Sequence, residues 1–257
     1  MTTTLKFPRV VMVTGASQGI GHAIASTFLG HGDIVIGCAL SSFEKAPHAQ
    51  QLQEQFPEQF FYYSVDMTET DSIARFISEV VSRFGRLDVL VSNAGKNVFK
   101  GIDCELEDWH HNLDLNLRSH WYIAKCCRPM LEKSHGVILV MTSNHAFSTM
   151  PGCAPYNITK RALLSLVQSL TIEWGPVVRT VGIAPGFIDT AGNQEWFDSY
   201  KDGEVARQET LRKHPVGRIG TPEEVGELCL YLASPAAGFI AGTTIVMDGG
   251  RSALMQD

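Results

Sequence analysis

Short apolar runs recur along this chain, separated by stretches whose apolar positions follow helical spacing. Arg9 to Thr14 is almost continuously apolar, as expected for a strand covered on both faces. The same pattern predicts strands over 34–40, 60–65, 88–91, 137–141, 178–183 and 244–247. Between 71 and 84, Ile73, Phe76, Ile77, Val80, Val81 and Phe84 fall on one helical face. Further helices are predicted over 22–31, within 41–55, over 106–132 with Pro129 as the point of a bend or break, and over 154–174. Thr221-Pro222-Glu223-Glu224 marks another helix start, with a capping threonine, proline at the first position and glutamate at the third. Strands alternating with helices predict an α/β fold: a doubly wound parallel sheet of about seven strands with helices on both faces. No linker, repeat or shift of composition divides residues 1–257, so one domain is expected. From Pro185-Gly186 to His214 the pattern changes, with Trp196, Phe197 and Tyr200 set among charges. Ligands of open α/β sheets bind beyond the strand C-termini, so residues at about 190–214 read as a helical flap over the site.

Composition narrows the partners. The 257 residues carry a net charge of −6 with both signs mixed along the chain, and no basic stripe suggests nucleic acid. No stretch approaches the ~18 apolar residues of a membrane span, and the N-terminal stretch lacks the apolar core of a secretion signal. The six cysteines show no Cys-x-x-Cys spacing, which reads as reduced thiols in a cytoplasmic protein, with no metal site.

Two stretches carry candidate chemistry. Gly15-Ala16-Ser17-Gln18-Gly19-Ile20-Gly21 stands between the first predicted strand and helix. There, glycines permit a tight turn and a helix N-terminus offers free N–H groups to a phosphate. The second stretch runs from Ser143 to Lys160. Tyr156 and Lys160, four apart, share a helical face, and Ser143 follows a predicted strand. A hydroxyl, a phenol and an ammonium together suit proton exchange with an alcohol or carbonyl oxygen. The phenol titrates near pH ~10 when free, and a neighbouring ammonium favours its ionised form.

Together these motifs resemble the short-chain dehydrogenase/reductase family. The matching residues are Thr14-Gly15-x-x-x-Gly19-Ile20-Gly21, Asn93-Ala94-Gly95, Asn116, Ser143, Tyr156-x-x-x-Lys160, Pro185-Gly186 with Thr190, and Asp248-Gly249-Gly250. The resemblance implies a Rossmann fold and hydride transfer between a nicotinamide and a carbinol or carbonyl carbon. It implies Tyr156 as acid/base, Lys160 lowering its pKa and holding the nicotinamide ribose, Ser143 on the substrate oxygen, and Asn116 holding a water that links Lys160 to solvent. Gly15, Ser17, Gln18, Gly19, Ile20 and Gly21 would lie against the pyrophosphate and ribose, and Asp66 and Met67 against adenine. Asn93, Ala94 and Gly95 would border the adenosine ribose, and Pro185, Gly186, Ile188 and Thr190 the carboxamide and phosphate. The chain departs from the family pattern at Ser92, where a first asparagine is common, at Lys96, and at Val181.

The residues after the second strand bear on the cofactor. Ala39 stands where NAD-dependent relatives commonly place aspartate, and Ser41 and Ser42 could donate to a 2′-phosphate, so NADP(H) is favoured over NAD(H). Asn97, Asn144 and His145 near the inferred pocket, with Trp196 from the flap, point to a small polar substrate such as a sugar or polyol. A 3-oxoacyl thioester is the alternative substrate, and a non-catalytic dinucleotide sensor the alternative of another class. The resemblance also implies a homotetramer.

Overall fold

The computed structural model describes residues 8–254. Residues 1–7, which hold most of the stretch read as lacking a secretion signal, and residues 255–257 lie outside the described residues. In chain order the strands are β1 (Val10–Thr14), β2 (Ile34–Ala39), β3 (Phe60–Ser64), β4 (Val89–Ser92), β5 (Val137–Met141), β6 (Arg179–Pro185) and β7 (Thr244–Met247). They form one parallel sheet in the order β3-β2-β1-β4-β5-β6-β7, as the alternation of elements predicts. After β3 the chain returns to the other side of β1 as β4, which makes the β1/β4 boundary the switch point where such sheets bind ligands. That boundary is tied at its C-terminal end. Thr14 Oγ1 accepts from the N–H groups of Asn93 and Ala94, both at 2.9 Å, and Asn93 Nδ2 donates to Thr14 O at 2.9 Å.

Successive residues of a strand face opposite ways, so each buried strand feeds two cores. On one face Met12, Leu90 and Ile138 pack with Phe76 of α3 (Thr70–Phe84) and with Ile123 and Leu163. On the other, Val11, Val91 and Leu139 pack with Ile24 and Phe28 of α1 (Gly19–Gly30) and Val225 of α9 (Pro222–Leu232). The start of α9 is the expected capping box, closed both ways between Thr221 and Glu224. Helix α2 (Pro47–Gln55) covers the β2–β3 connection.

One expectation fails in an informative place. Instead of a single helix over 106–132 weakened at Pro129, the chain forms α4 (Leu106–Leu113) and α5 (Ser119–Ser134) joined by a π turn at Asp114–Arg118. Pro129 sits inside α5, where the buried residues Ile123, Cys127, Met130 and Leu131 hold the helix on the sheet despite one lost backbone bond. The π turn inserts an extra residue and swings Asn116 inward to 0% exposure. After α6 (Tyr156–Trp174) and β6 come α7 (Ala191–Asp198) and α8 (Gly203–Arg212), capped by Thr190 and Asp202.

Candidate active site

The first βα turn is built for close approach. Gly15 and Gly19 have φ of +72° and +56°, a region L side chains avoid. At Gly21 the reason is space: a Cβ there would lie 2.1 Å from Gly15 O and 2.7 Å from Asn93 Nδ2. Helix α1 starts at Gly19, three residues before the expected start, with Gln18 at its cap and no side-chain bond to the first-turn N–H groups. Free N–H groups, the positive end of the helix dipole and a glycine-lined cradle suit the pyrophosphate of a dinucleotide. Gly15 N–H and Ala16 N–H both donate to Cys38 O, at 2.7 and 3.0 Å, which sets the end of β2 beside the loop. Ala39 is buried there, while Ser41 is exposed and Ser42 half-buried. Asp66 accepts from Thr68 N–H at 2.8 Å, and buried Met67 follows it.

The second group gathers beyond β4, β5 and β6. Ser143 follows β5 in extended conformation (φ −164°), and its Oγ accepts from His145 N–H at 3.2 Å. Tyr156 is the first residue of α6, and Lys160 stands one turn on. Lys160 Nζ lies 5.6 Å from the Tyr156 ring centroid and donates to Met141 O at 3.0 Å. Asn116 Oδ1 accepts from Lys96 N–H at 3.0 Å, and its Nδ2 donates to Lys96 O at 2.9 Å and Asn112 Oδ1 at 2.8 Å. It thus clamps the loop after β4, and the Lys96 side chain itself is exposed. The same point brings Asn116 and Lys160 together: a Cβ on Gly95 would sit 2.8 Å from Asn116 Oδ1 and 3.4 Å from Lys160 Nζ. Buried Ile188 and the capping residue Thr190 close the third side, where Gly186 is pressed against Asp248. Trp196 belongs to a separate aromatic group, with ring centroids 5.5 Å from Phe187 and 4.9 Å from Tyr200.

Burial disfavours charge on both central groups. It pushes the Tyr156 phenol up to about 12, opposed in part by the Ser143 hydroxyl. It pulls the Lys160 ammonium down to about 7. At neutral pH the phenol is therefore protonated, and the buried Lys160 ammonium loses its proton far more readily than a free lysine does. This differs from the direction expected for a phenol beside a full ammonium, and the cause is desolvation of both groups.

A family model described as enoyl-(acyl carrier protein) reductase matches residues 15–252. An uncharacterized oxidoreductase of Thermotoga maritima is 32% identical over 256 residues, covering 96% of this chain and 97% of that protein. The chain belongs to the short-chain dehydrogenase/reductase family. Another relative, the 3-oxoacyl-[acyl-carrier-protein] reductase of T. maritima, is 31% identical, with 94% of this chain and 97% of that protein covered. The ligand-free aldohexose dehydrogenase of Thermoplasma acidophilum superposes with a TM-score of 0.87 at 29% identity, over 96% of this chain and 95% of that one. This short-chain dehydrogenase/reductase is accordingly an oxidoreductase of CH–OH and C=O groups that works with a nicotinamide cofactor on a small-molecule substrate. Among the described residues, no helix is long and apolar enough to cross a membrane, and no cluster of potential metal ligands occurs.

Three residues at the site went unread in the sequence. Phe99 packs edge-on to Tyr156, with ring centroids 5.3 Å apart. His120 bonds through Nδ1 to Ser92 Oγ at 2.7 Å, where an asparagine was the common residue. Nothing in the local pattern marked either, because Phe99 meets α6 and His120 meets β4 only in the fold. Arg251 follows Asp248-Gly249-Gly250 at the C-terminal end of β7, a position whose place in the topology could have drawn notice.

Proposed function

We propose that this enzyme interconverts a secondary alcohol and a ketone on a small polar substrate, using NADP(H). The observation that carries the reading is the convergence of Ser143, Tyr156 and Lys160 beside the switch point, next to a cavity lined largely by polar residues that starts at Asn144 and His145. A bound nicotinamide supplies or accepts the hydride. Tyr156 Oη gives its proton to the carbonyl oxygen in reduction and takes it back in oxidation, and a phenol held protonated is ready for the first. The Ser143 hydroxyl donates to the same oxygen as charge develops there. Lys160 holds the cofactor ribose and favours the phenolate whenever it is charged itself, and Asn116 carries a water behind it.

Gly15, Ser17, Gln18, Gly19, Ile20 and Gly21 would hold the pyrophosphate, Asp66 and Met67 the adenine, and Ile188 and Thr190 the carboxamide end. Missing repulsion at Ala39 and the hydroxyls of Ser41 and Ser42 support NADP(H). Ratios of kcat/KM for the two cofactors test this; a preference for NAD above about tenfold (~1.4 kcal/mol) contradicts it. Ala39→Asp should move the ratio toward NAD.

His145, with ring centroids 6.0 Å from Tyr156, and Asn144 support the polar substrate. A coupled absorbance screen of alcohols, sugars and ketones tests it. Similarity to a 3-oxoacyl-[acyl-carrier-protein] reductase favours a thioester as the second reading, and activity confined to thioesters would establish that one. Helices α7 and α8 act as the flap, so proteolysis near 190–212 should slow when cofactor and substrate bind. Exposed Trp121, Ile158, Ile172 and Val246 on α5, α6 and β7 support a homotetramer, and a clean monomer in sedimentation would refute it. All six cysteines are free, in keeping with a cytoplasmic location.

A further inference from the structure

Beside Ser143 lies a cavity of about 250 Å³, lined in part by Asn144, His145, Ser148, Arg251 and Ser252. Among the described residues Arg251 is its only full cation, and no carboxylate lines it. Arg251 is half-buried, and its one side-chain hydrogen bond among the described residues is a weak one to Met150 Sδ at 3.6 Å. The neighbouring carboxylate is spoken for by the backbone: Asp248 Oδ1 accepts from Gly250 N–H at 3.0 Å and Oδ2 from Ser252 N–H at 2.8 Å. Ser252 Oγ, buried on the same wall, has no hydrogen-bond partner among the described residues. On the opposite side the His145 ring reaches Thr149 Oγ1 at 3.1 Å and faces Tyr156.

A guanidinium taken partly out of water without a carboxylate partner is costly, and its planar fork matches a carboxylate. We propose that Arg251 binds the carboxylate of the substrate, so that the natural substrate is a small hydroxy or keto acid. Ser252 Oγ donates a second hydrogen bond to that carboxylate. The acid group sits in this cavity with Arg251, and the reacting carbon lies beyond the Asn144–His145 wall, where the His145 ring centroid is 6.0 Å from that of Tyr156. The cavity is smaller than the ~300–1,000 Å³ of pockets for drug-sized ligands, which suits a compact acid. Burial and the nearby Arg251 charge lower the His145 pKa, so His145 is neutral at pH 7 and adds hydrogen bonding without a second cation. This inference rests on the alcohol/ketone reading above and specifies its substrate.

The test measures kcat/KM with both cofactors for gluconate, galactonate and 3-hydroxybutyrate, each as the free acid and as its primary amide, with glucose 6-phosphate as an anion of another kind. The wild-type enzyme should prefer acid over amide by at least ~10-fold, the scale of a hydrogen bond to a charged group. In Arg251→Gln that ratio should fall toward one, mainly through KM. Arg251→Lys should keep an intermediate ratio. Because the ratio is taken within one protein, a partial folding defect cancels, and the wild-type preference stands without any variant. Turnover with no acid preference, a preference that survives in Arg251→Gln, or a preference for the phosphate ester overturns the assignment of Arg251 while leaving the alcohol/ketone reading intact. Absence of hydride transfer on every acid and amide, from an enzyme active in the alcohol, sugar and ketone screen, overturns the assignment of Arg251 alone; inactivity in that screen as well overturns both.

Discussion

Methionine in place of Lys160 keeps a long side chain beside Tyr156 and removes the titrating group. Burial takes the Lys160 ammonium from its ordinary 10.5 to about 7. A base whose folded pKa lies below its unfolded value binds fewer protons in the native state across the interval between them, so stability rises with pH there. The window runs from about pH 7 to 10.5. At 1.36 kcal/mol per unit the whole interval is worth about 5 kcal/mol, and the part crossed between pH 6 and 9 about 3 kcal/mol. Unfolding free energy of the cofactor-free protein, from urea titrations followed by tryptophan fluorescence at one protein concentration, should therefore rise by about 3 kcal/mol in the wild type relative to Lys160→Met over that range. Met141 O loses its donor in the variant, a cost of about 1–3 kcal/mol that does not depend on pH. Tyr156 does not enter, because its folded value of about 12 lies above its ordinary 10.0 and its own contribution is lost only as pH rises through that higher range. A wild-type-minus-variant difference constant within ~0.5 kcal/mol from pH 6 to 9 would refute the reasoning, since Lys160 would then stay fully charged in the buried site.

Tyr156→Phe keeps the ring packed on Phe99 and deletes the proton, so turnover should fall at least ~100-fold while dinucleotide binding, read by fluorescence titration, survives. Gly21→Ala forces a Cβ to within 2.1 Å of a backbone oxygen. Overpacking of that kind costs about 1–3 kcal/mol or more, and calorimetry should show a lowered Tm together with weakened dinucleotide binding. Thr221→Ala opens the capping box of α9, which should lower Tm by about 2–4 °C for a loss of about 1 kcal/mol, read by calorimetry.

Much of this enzyme is legible from its chain because the controlling interactions are local. Apolar runs of five residues that bury both faces, helices with a single apolar stripe, and glycines at the first βα turn each follow from neighbours a few positions apart. Tyr156 and Lys160 share a helical face by spacing alone, and the capping box of α9 is written in four consecutive residues. The π turn was not legible, since what stabilises it is Asn116 reaching Lys96 across 20 positions. Nor was the fate of Pro129, because the helix survives there through packing on a sheet assembled from remote strands. The direction of the Tyr156 and Lys160 pKa shifts likewise came from the fold: spacing shows an ammonium near a phenol, but only the packed site shows how little water reaches either. The role of Arg251 belongs to the tertiary structure for the same reason. A lone arginine after a turn is ordinary in sequence, and it becomes informative once β7 sets it across a cavity from Asn144 and His145, 106 or more positions earlier in the chain, with its neighbouring carboxylate turned to the backbone. Local chemistry sets which elements form, and the exclusion of water by distant elements sets what their side chains can do.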